Sequence, residues 1–475
     1  MVTKRKAAKR GVCIVHGAGP SAELSKALET RGISSTVAGT LSEAVASGCG
    51  PVAFSPARAP TADEASAYAA VCEQAARAGD PVVMLAVFAA VDGSEANDRA
   101  AALAYLRSHG AILCADPDVW LECLALLSAY DVPTGSRVAV VAPPGSWLAL
   151  SAAALAAERA ANGTRSPPVH RDAVSVRATD TVLVDRAEIS RSTPKQVGDA
   201  RVIPVVGRAE SLVTGSEVAL VGLREAIEAA TLAGRCGARL QTGFGPAPTS
   251  DADAFDADGD RFDRQVAQLG NLAGDHETKV MLKSWGVSIT RQAVATTPSA
   301  ATRIAKKAGW PVEIKPWSAE VPTEPDGCPV ESDVYSAPDV RRAFVTVAKD
   351  ANLESGAPVI VRETPPRGRE LRARFERRGA LGWTVVVEIT GVSRPIAAPA
   401  PLREADARDI ARCVEASRTG DPEPDHDALV DLLRRASHMV VANQKVIATM
   451  DLARVVVAPK GQGAVVVDAR ATLNE

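Results

Sequence analysis

The sequence predicts an α/β protein whose first half holds parallel sheets covered on both faces and whose second half turns to an α+β order. Three observations carry this. Between residues 11 and 130, short apolar strands alternate with amphipathic helices, the pattern of βαβ units. A shorter stretch, 137 to 233, repeats that pattern. Beyond residue 265 the alternation gives way to groups of helices and groups of strands.

In order, the first stretch opens with an apolar strand at 11–15 and a Gly-rich turn, His16-Gly17-Ala18-Gly19-Pro20-Ser21. A helix over 22–31 follows, with Leu24, Ala27 and Leu28 on one face and Gly32 as its stop. Strands at 51–54, 81–87 and 111–114 alternate with helices at 62–78 and 94–108. The second stretch has strands at 137–142, 181–184 and 202–206 and helices at 148–161 and 219–233. Residues 236–264 read as a linker with a dense acidic run, Asp251 to Asp263. A calcium loop starting at Asp256 fails, because Arg261 and Ala267 fall where glycine and a bidentate glutamate are needed, which leaves an acidic connector. The third stretch has helices at 275–285, 299–309, 338–350, 403–417 and 425–440. Its strands are 312–315, 358–362, 371–377 and 383–389, and 455–457 with 464–468 reads as an edge hairpin. The predicted organisation is a disordered tail (1–10), two parallel-sheet domains (11–133 and 134–236), a linker (237–264) and a final domain (265–475).

Composition narrows the class. Of 475 residues, 46% are hydrophobic and 23% charged, as in an ordinary globular protein, and at 4% aromatics the cores must be aliphatic. A net charge of −3 gives no reason to expect nucleic acid or an anionic membrane, and the basic start MVTKRKAAKR reads as a solvated tail. No apolar run is long enough for a membrane span. Eight scattered cysteines with no CxxC, and no secretion signal, predict reduced thiols and a cytoplasmic setting.

A series of short motifs carries a family resemblance. Glu277-Thr278-Lys279-Val280-Met281-Leu282 with Gly286-Val287 is similar to E-x-K-x-L-L-x-x-x-G-I. Trp310-Pro311-Val312-Glu313-Ile314-Lys315 is similar to Y-P-V-V-L-K, Val359-Ile360-Val361-Arg362-Glu363 to V-L-V-Q-E, and Gly368-Arg369-Glu370-Leu371 to G-R-E-L. Ala400-Pro401-Leu402 with Asp406-Ala407 resembles A-P-L-x-x-x-D-A, and Val466-Val467-Asp468-Ala469-Arg470 resembles V-V-D-A-R. In this order they resemble the NDP-forming (ADP-forming) acyl-CoA synthetases, relatives of succinyl-CoA synthetase. The resemblance implies two flavodoxin-like, succinyl-CoA synthetase-like domains followed by an ATP-grasp domain. It also implies that the family's N-terminal CoA-binding module lies outside these 475 residues.

The resemblance also implies a site. Lys315 holds the place of the cation that contacts nucleotide phosphates, the alternative being a lysine at an exposed strand end. Glu363 and Glu370 match nucleotide-binding carboxylates, or are ordinary solvated residues. ATP or ADP with Mg2+ is the implied cofactor set, and a CoA-type ligand is implied with it. The metal turn D-I-N-P reads here as Asp451-Leu452-Ala453-Arg454, which keeps Asp451 but replaces the amide ligand by Ala453. Glu388 is a second metal candidate. The flexible K-S-D-V-G-G loop has become the proline-rich 322–329. His16 and His109 are the candidates for phosphoryl carrier, although His109 reads first as the cap of a helix before Gly110. Gly17 and Gly19 could expose N–H groups to an anion, or simply make a tight turn. A second anion loop, Ala142-Pro143-Pro144-Gly145-Ser146-Trp147, reads as closed by its prolines and tryptophan.

Two functions follow. One is a degenerate synthetase-like pseudoenzyme that binds nucleotide, a CoA-type ligand or a protein partner with little turnover. The other is an active acid–CoA ligase working with a separate CoA-binding subunit that supplies the phosphohistidine. A homo-oligomer is implied in either case by the family alone.

Overall fold

The structure is a computed structural model that describes residues 10–15, 21–161, 167–170, 180–186, 196–197, 200–207, 218–354, 356–415 and 422–474. Residues 1–9 of the predicted tail and 16–20 of the Gly-rich turn, with His16, Gly17 and Gly19, lie outside the described residues, whereas Arg10, expected in the tail, pairs with Asp80 at 2.8 Å. The chain divides into two compact units, Met1–Gly245 and Pro246–Glu475. Among the described residues, no helix is long and apolar enough to cross a membrane.

In the first unit the elements run β1 (Val12–Val15), α1 (Ser21–Glu29), β2 (Ser35–Ala38), α2 (Leu41–Ser47), β3 (Val52–Phe54), α3 (Ala62–Ala78), β4 (Val82–Leu85), α4 (Gly93–Ser108), β5 (Ile112–Cys114) and α5 (Pro117–Ala129). They continue as β6 (Val138–Val141), α6 (Trp147–Ala161), β7 (Val169–His170), β8 (Thr181–Asp185), β9 (Gln196–Val197), β10 (Ala200–Val206), β11 (Leu220–Val221) and α7 (Leu223–Thr242). The first sheet has the order β2-β1-β3-β4-β5 and is parallel throughout, the flavodoxin-like arrangement. The second has the order β11-β10-β8-β6-β7, also parallel, with β9 added antiparallel to β10.

The two parallel-sheet regions, expected as separate domains, share one core. Helix α5 is apolar almost all round, with Val119, Trp120 and Leu124 to Leu127 buried, and it packs against α7 between the sheets. The buried Glu122 ties both regions: it accepts from Arg31 at 2.5 Å and from the Val221 N–H at 2.9 Å.

The predicted linker is largely helical. Helix α7, expected to stop at residue 233, runs on to Thr242. The extension carries Gly234 and Gly237 inside the helix. Both are there for closeness: a Cβ on Gly234 would lie 2.1 Å from the Gly135 carbonyl oxygen, and one on Gly237 would lie 1.7 Å from that of Pro133. Alanine normally favours a helix over glycine by about 1 kcal/mol. Here Gly237→Ala is expected to destabilise the first unit by about 2–3 kcal/mol through overpacking. A thermal melt followed by far-UV circular dichroism checks the sign, and a stabilised variant would contradict the close approach.

The second unit begins with a 3₁₀ turn at Thr249–Ala254 and α8 (Gly259–Val266), whose cap is the Asp258 side chain. Part of the acidic run expected to be a connector therefore caps and opens a helix. The elements continue as β12 (Leu272–Ala273), α9 (Asp275–Ser284), β13 (Gln292–Ala295), α10 (Pro298–Ala308), β14 (Val312–Pro316), β15 (Glu331–Val334), α11 (Ala337–Asp350) and β16 (Val359–Glu363). They close with β17 (Arg369–Arg377), β18 (Trp383–Ile389), β19 (Ile396–Pro399), α12 (Glu404–Glu415), α13 (His426–Ala442), β20 (Ile447–Val457) and β21 (Ala464–Leu473). Two antiparallel sheets result, with orders β13-β16-β14-β15 and β12-β21-β20-β17-β18-β19. The hairpin expected at an edge is longer than predicted and interior: β20 and β21 lie between β12 and β17. Leu452, Val455 and Val457 enter the core, so the strand is anchored well before residue 455.

Candidate nucleotide site

Strand alternation builds the site. In β14, Val312 and Ile314 enter a core with α10 and α11, which leaves Glu313 and Lys315 on the other face. In β16, Val359 and Val361 do the same, leaving Ile360 and Arg362, and Arg362 pairs across from Glu313. In the larger sheet, Leu371, Ala373 and Phe375 of β17 and Val385, Val387 and Ile389 of β18 enter the helix-covered core. Glu370, Arg372, Arg374 and Glu388 fall on the opposite face. The β20–β21 pairing is irregular around Asp451, Arg454 and Asp468, as where a bulge re-aims side chains.

These faces meet in a buried group of charges. Lys315 donates to Asp468 at 2.9 Å and Glu324 at 3.2 Å, and lies 3.7 Å from Asp275. Lys279, fully buried, lies 3.1 Å from Asp275 and donates to Thr290, Gln292 and the Val467 carbonyl. Arg362, also fully buried, donates to Glu313, to Glu324 and to the Val467 carbonyl. Arg454, partly exposed, reaches Glu324 at 3.2 Å and Glu370 at 2.8 Å. Buried charges persist only when paired and hydrogen-bonded, and each of these is.

The electrostatics follow from that pairing. Burial alone would lower the Lys315 pKa, but Asp275, Asp468 and Glu324 outweigh it and hold the ammonium above its ordinary value. Burial would raise the Glu324 pKa, but Arg362, Lys315 and Arg454 draw it down to about 2. Lys279 goes the other way: burial, helped by Arg362 and Lys315 against Asp275, lowers it to about 8.

Glu324 comes from the proline-rich loop. Residues Glu324–Asp326 form a 3₁₀ turn that ends at Gly327 with φ +105°, and the Glu324 N–H donates to Asp468 at 2.5 Å. The loop's outer tie is Asp326, which accepts from Arg372 at 2.9 and 2.8 Å and from the Thr323 hydroxyl at 2.6 Å. Beside Lys315 about 20 Å³ is open, room for little more than one water. On the other side of Glu324 lies a cleft of about 480 Å³ lined by Glu370, Arg372, Glu388, Ala453 and Arg454.

The predicted site residues separate on this map. Lys315 and Glu370 belong to the charge group or its edge. Glu363 lies apart, bonded to Arg291, whose N–H groups donate to it at 2.8 Å from the backbone and 2.6 Å from the side chain. His109 caps α4, with Nδ1 2.8 Å from the Tyr105 carbonyl, and burial lowers its pKa. The second anion loop is internally capped: the Ser146 hydroxyl accepts from the Ala149 N–H at 3.2 Å, and the Trp147 ring lies against Gly207.

The residues do not fit Mg2+. Asp451 accepts from Arg372 through both oxygens, at 2.5 to 3.1 Å, and Glu388 accepts from Arg374 at 2.7 Å. The expected metal turn is instead part of strand β20, where Ala453 has no ligand atom and Arg454 adds a guanidinium. Among the described residues, no group of three or more His, Cys, Asp or Glu could hold a metal ion.

Sequence reasoning missed Glu324, Arg362 and Asp275. The signal available was a glutamate, a lysine and an arginine spaced by two within otherwise apolar strands, V-E-I-K and V-I-V-R. Buried strands with charges on their second face require partners.

Two antiparallel sheets with helices behind them, and Lys315 between them, have the look of an ATP-grasp architecture, and residues 266–473 match the ATP-grasp domain family. The C-terminal unit is thus an ATP-grasp domain, and its relatives are ADP-forming acyl-CoA ligases. Over 224 residues it is 28% identical to the acetate–CoA ligase [ADP-forming] II subunit beta of Pyrococcus furiosus, covering 44% of this chain and 94% of that one. Over 210 residues it is 24% identical to the 4-hydroxybutyrate–CoA ligase [ADP-forming] of Nitrosopumilus maritimus, covering 41% of this chain and 30% of the relative. Among solved structures it is similar to the dinucleotide-forming acetyl-coenzyme A synthetase 1 of Ca. Korarchaeum cryptofilum, at 27% identity and TM-score 0.40, covering 45% of this chain and 99% of that chain.

Proposed function

We propose that this chain is an acyl-CoA synthetase-like protein whose ATP-grasp site is held shut by its own side chains, so that it binds nucleotide or a CoA-type ligand with little or no turnover. One observation carries the reading: the Lys315 ammonium, which the family resemblance would set against the nucleotide phosphates, is already engaged by Asp468, Glu324 and Asp275. Phosphoryl transfer needs charge neutralisation at the phosphates, and the carboxylates that would hold a metal are bonded to Arg372 and Arg374 instead. A cytoplasmic setting belongs to the same proposal, supported by free thiols at all eight cysteines.

The test is ADP–ATP exchange by the purified full chain with labelled ATP and Mg2+, with and without acetyl-CoA. No exchange and no labelled phosphoprotein are expected, and either signal would sink the closed reading. The second reading, an active ligase beside a separate CoA-binding subunit or within a homo-oligomer, is favoured by the match along 94% of a relative named as a beta subunit. It predicts that exchange appears when a CoA-binding subunit of a related ligase is added.

A further inference from the structure

We propose that Glu324 is a built-in competitor for phosphate-bearing ligands, seated where Lys315, Arg362 and Arg454 converge, and that its withdrawal opens a site that takes a phosphate chain with guanidinium groups in place of a divalent ion. The inference rests on the closed reading and gives it a mechanism.

Three cations from three strands share this one carboxylate: Lys315 of β14, Arg362 of β16 and Arg454 of β20. Two of them, Lys315 and Arg362, are buried, and a buried cation needs an oxygen acceptor to remain there. A phosphate oxygen offers the same chemistry as a carboxylate oxygen and accepts charge-assisted bonds from the same donors. If the loop swings out, these donors lose one shared acceptor, while Glu313, Asp468 and Glu370 keep their own bonds to Arg362, Lys315 and Arg454. The group therefore stays partly paired while the phosphate position empties.

The loop is placed for such a movement. It lies between the roughly 20 Å³ space at Lys315 and the 480 Å³ cleft, and the cleft alone is of the size that accommodates small ligands. Its outer tie, Asp326 to Arg372, is partly exposed, with nearly half of the Asp326 side chain open to solvent. Arg454 stands on β20 beside Ala453, and both line the cleft. Asp451 and Glu388, the carboxylates nearest that turn in the sequence reading, are bonded to arginines.

Isothermal calorimetry on the full chain tests this, with ATP and with inorganic tripolyphosphate, each in EDTA and again in Mg2+. Glu324→Gln is expected to bind at least about tenfold more tightly than wild type in EDTA, and Mg2+ should add nothing. Asp326→Asn, which loosens the loop without touching a buried cation, is expected to tighten binding about threefold and decides the matter if Glu324→Gln does not fold. A gain for ATP alone assigns the site to a nucleotide; equal gains for both assign it to the phosphate chain itself. Unchanged affinity in a folded Asp326→Asn, or a gain that appears only with Mg2+, overturns the proposal. Failure here with no ADP–ATP exchange leaves the closed reading standing; exchange in wild type removes that reading first.

Discussion

Replacing Arg362 with alanine is expected to destabilise the ATP-grasp unit by about 3–5 kcal/mol. The guanidinium is fully buried and serves Glu313, Glu324 and the Val467 carbonyl at once. Its removal leaves two buried carboxylates facing each other across a cavity of side-chain size. On the β14–β16 side the pair is covered by β21 through Val467 and Asp468, while Glu324 borders the cleft. The cost arises from those uncompensated charges more than from the lost attraction, since a well-paired buried ion group contributes little net stability over an apolar one. Arg291 supplies the contrast. It pairs with Glu363 at 2.6 Å, but its side chain is 77% exposed, so Arg291→Ala should change stability by less than about 1 kcal/mol. Urea unfolding followed by tryptophan fluorescence measures both, because Trp285 and Trp383 sit in the core of this unit. An Arg362→Ala loss as small as that of Arg291→Ala would refute the claim that the group is a closed set of mutually dependent charges.

Much of the fold was legible in the sequence because its signals are local. The strands at 371–377 and 383–389 alternate polar and apolar residues, and the structure pairs them antiparallel with the apolar side inward. The capping residues work where the sequence suggested helix starts: Thr297 accepts from the Ala300 N–H, and Ser336 from the Asp339 N–H. What was not legible is close approach between distant backbones. Gly234 and Gly237 look like helix breakers until residues 133 to 135 are seen against them. The core shared by the first two parallel-sheet regions was hidden in the same way, because nothing within α5 states that both of its sides are covered.

The site divides along the same line. Lys315 could be singled out because its motif is contiguous, whereas its partners are not: Asp468 is 153 residues away, and Glu324 meets Arg454 across 130. The proline-rich loop was read for the N–H donors it lacks. Its two acidic residues, Glu324 and Asp326, were not weighed, although a glutamate between two prolines on a site lined by cations is the more informative feature. Arg454 was read as a missing proline rather than as an added charge. Substitutions that remove a ligand are visible in one position; those that replace it with a new partner are visible only when two positions are seen together.

Lowering the pH from about 5 to about 2 is expected to unfold the ATP-grasp unit through Glu324 in particular. Its carboxyl titrates near 4.5 in the unfolded chain and at about 2 in the folded one, where Arg362, Lys315 and Arg454 outweigh the effect of burial. Between those values the unfolded chain binds the extra proton, so stability must fall as pH falls. The stabilisation is fully present above about 4.5 and lost by about 2, and it amounts to at most about 3 kcal/mol. Asp326 also titrates at about 2, through its bonds from Arg372, but its exposure leaves it a minor share. The opposite limb has the opposite sign. Lys279 loses its proton at about 8 in the folded state and at 10.5 in the unfolded chain, so its contribution to stability rises as pH increases across that window. Urea midpoints measured across both windows separate the two groups. Glu324→Gln should flatten the acid limb by close to one proton, and Lys279→Met should flatten the alkaline limb. If wild type and Glu324→Gln lose stability equally between pH 5 and 2, the carboxyl is not held ionised by these three cations, and the self-occupied phosphate position loses its electrostatic basis.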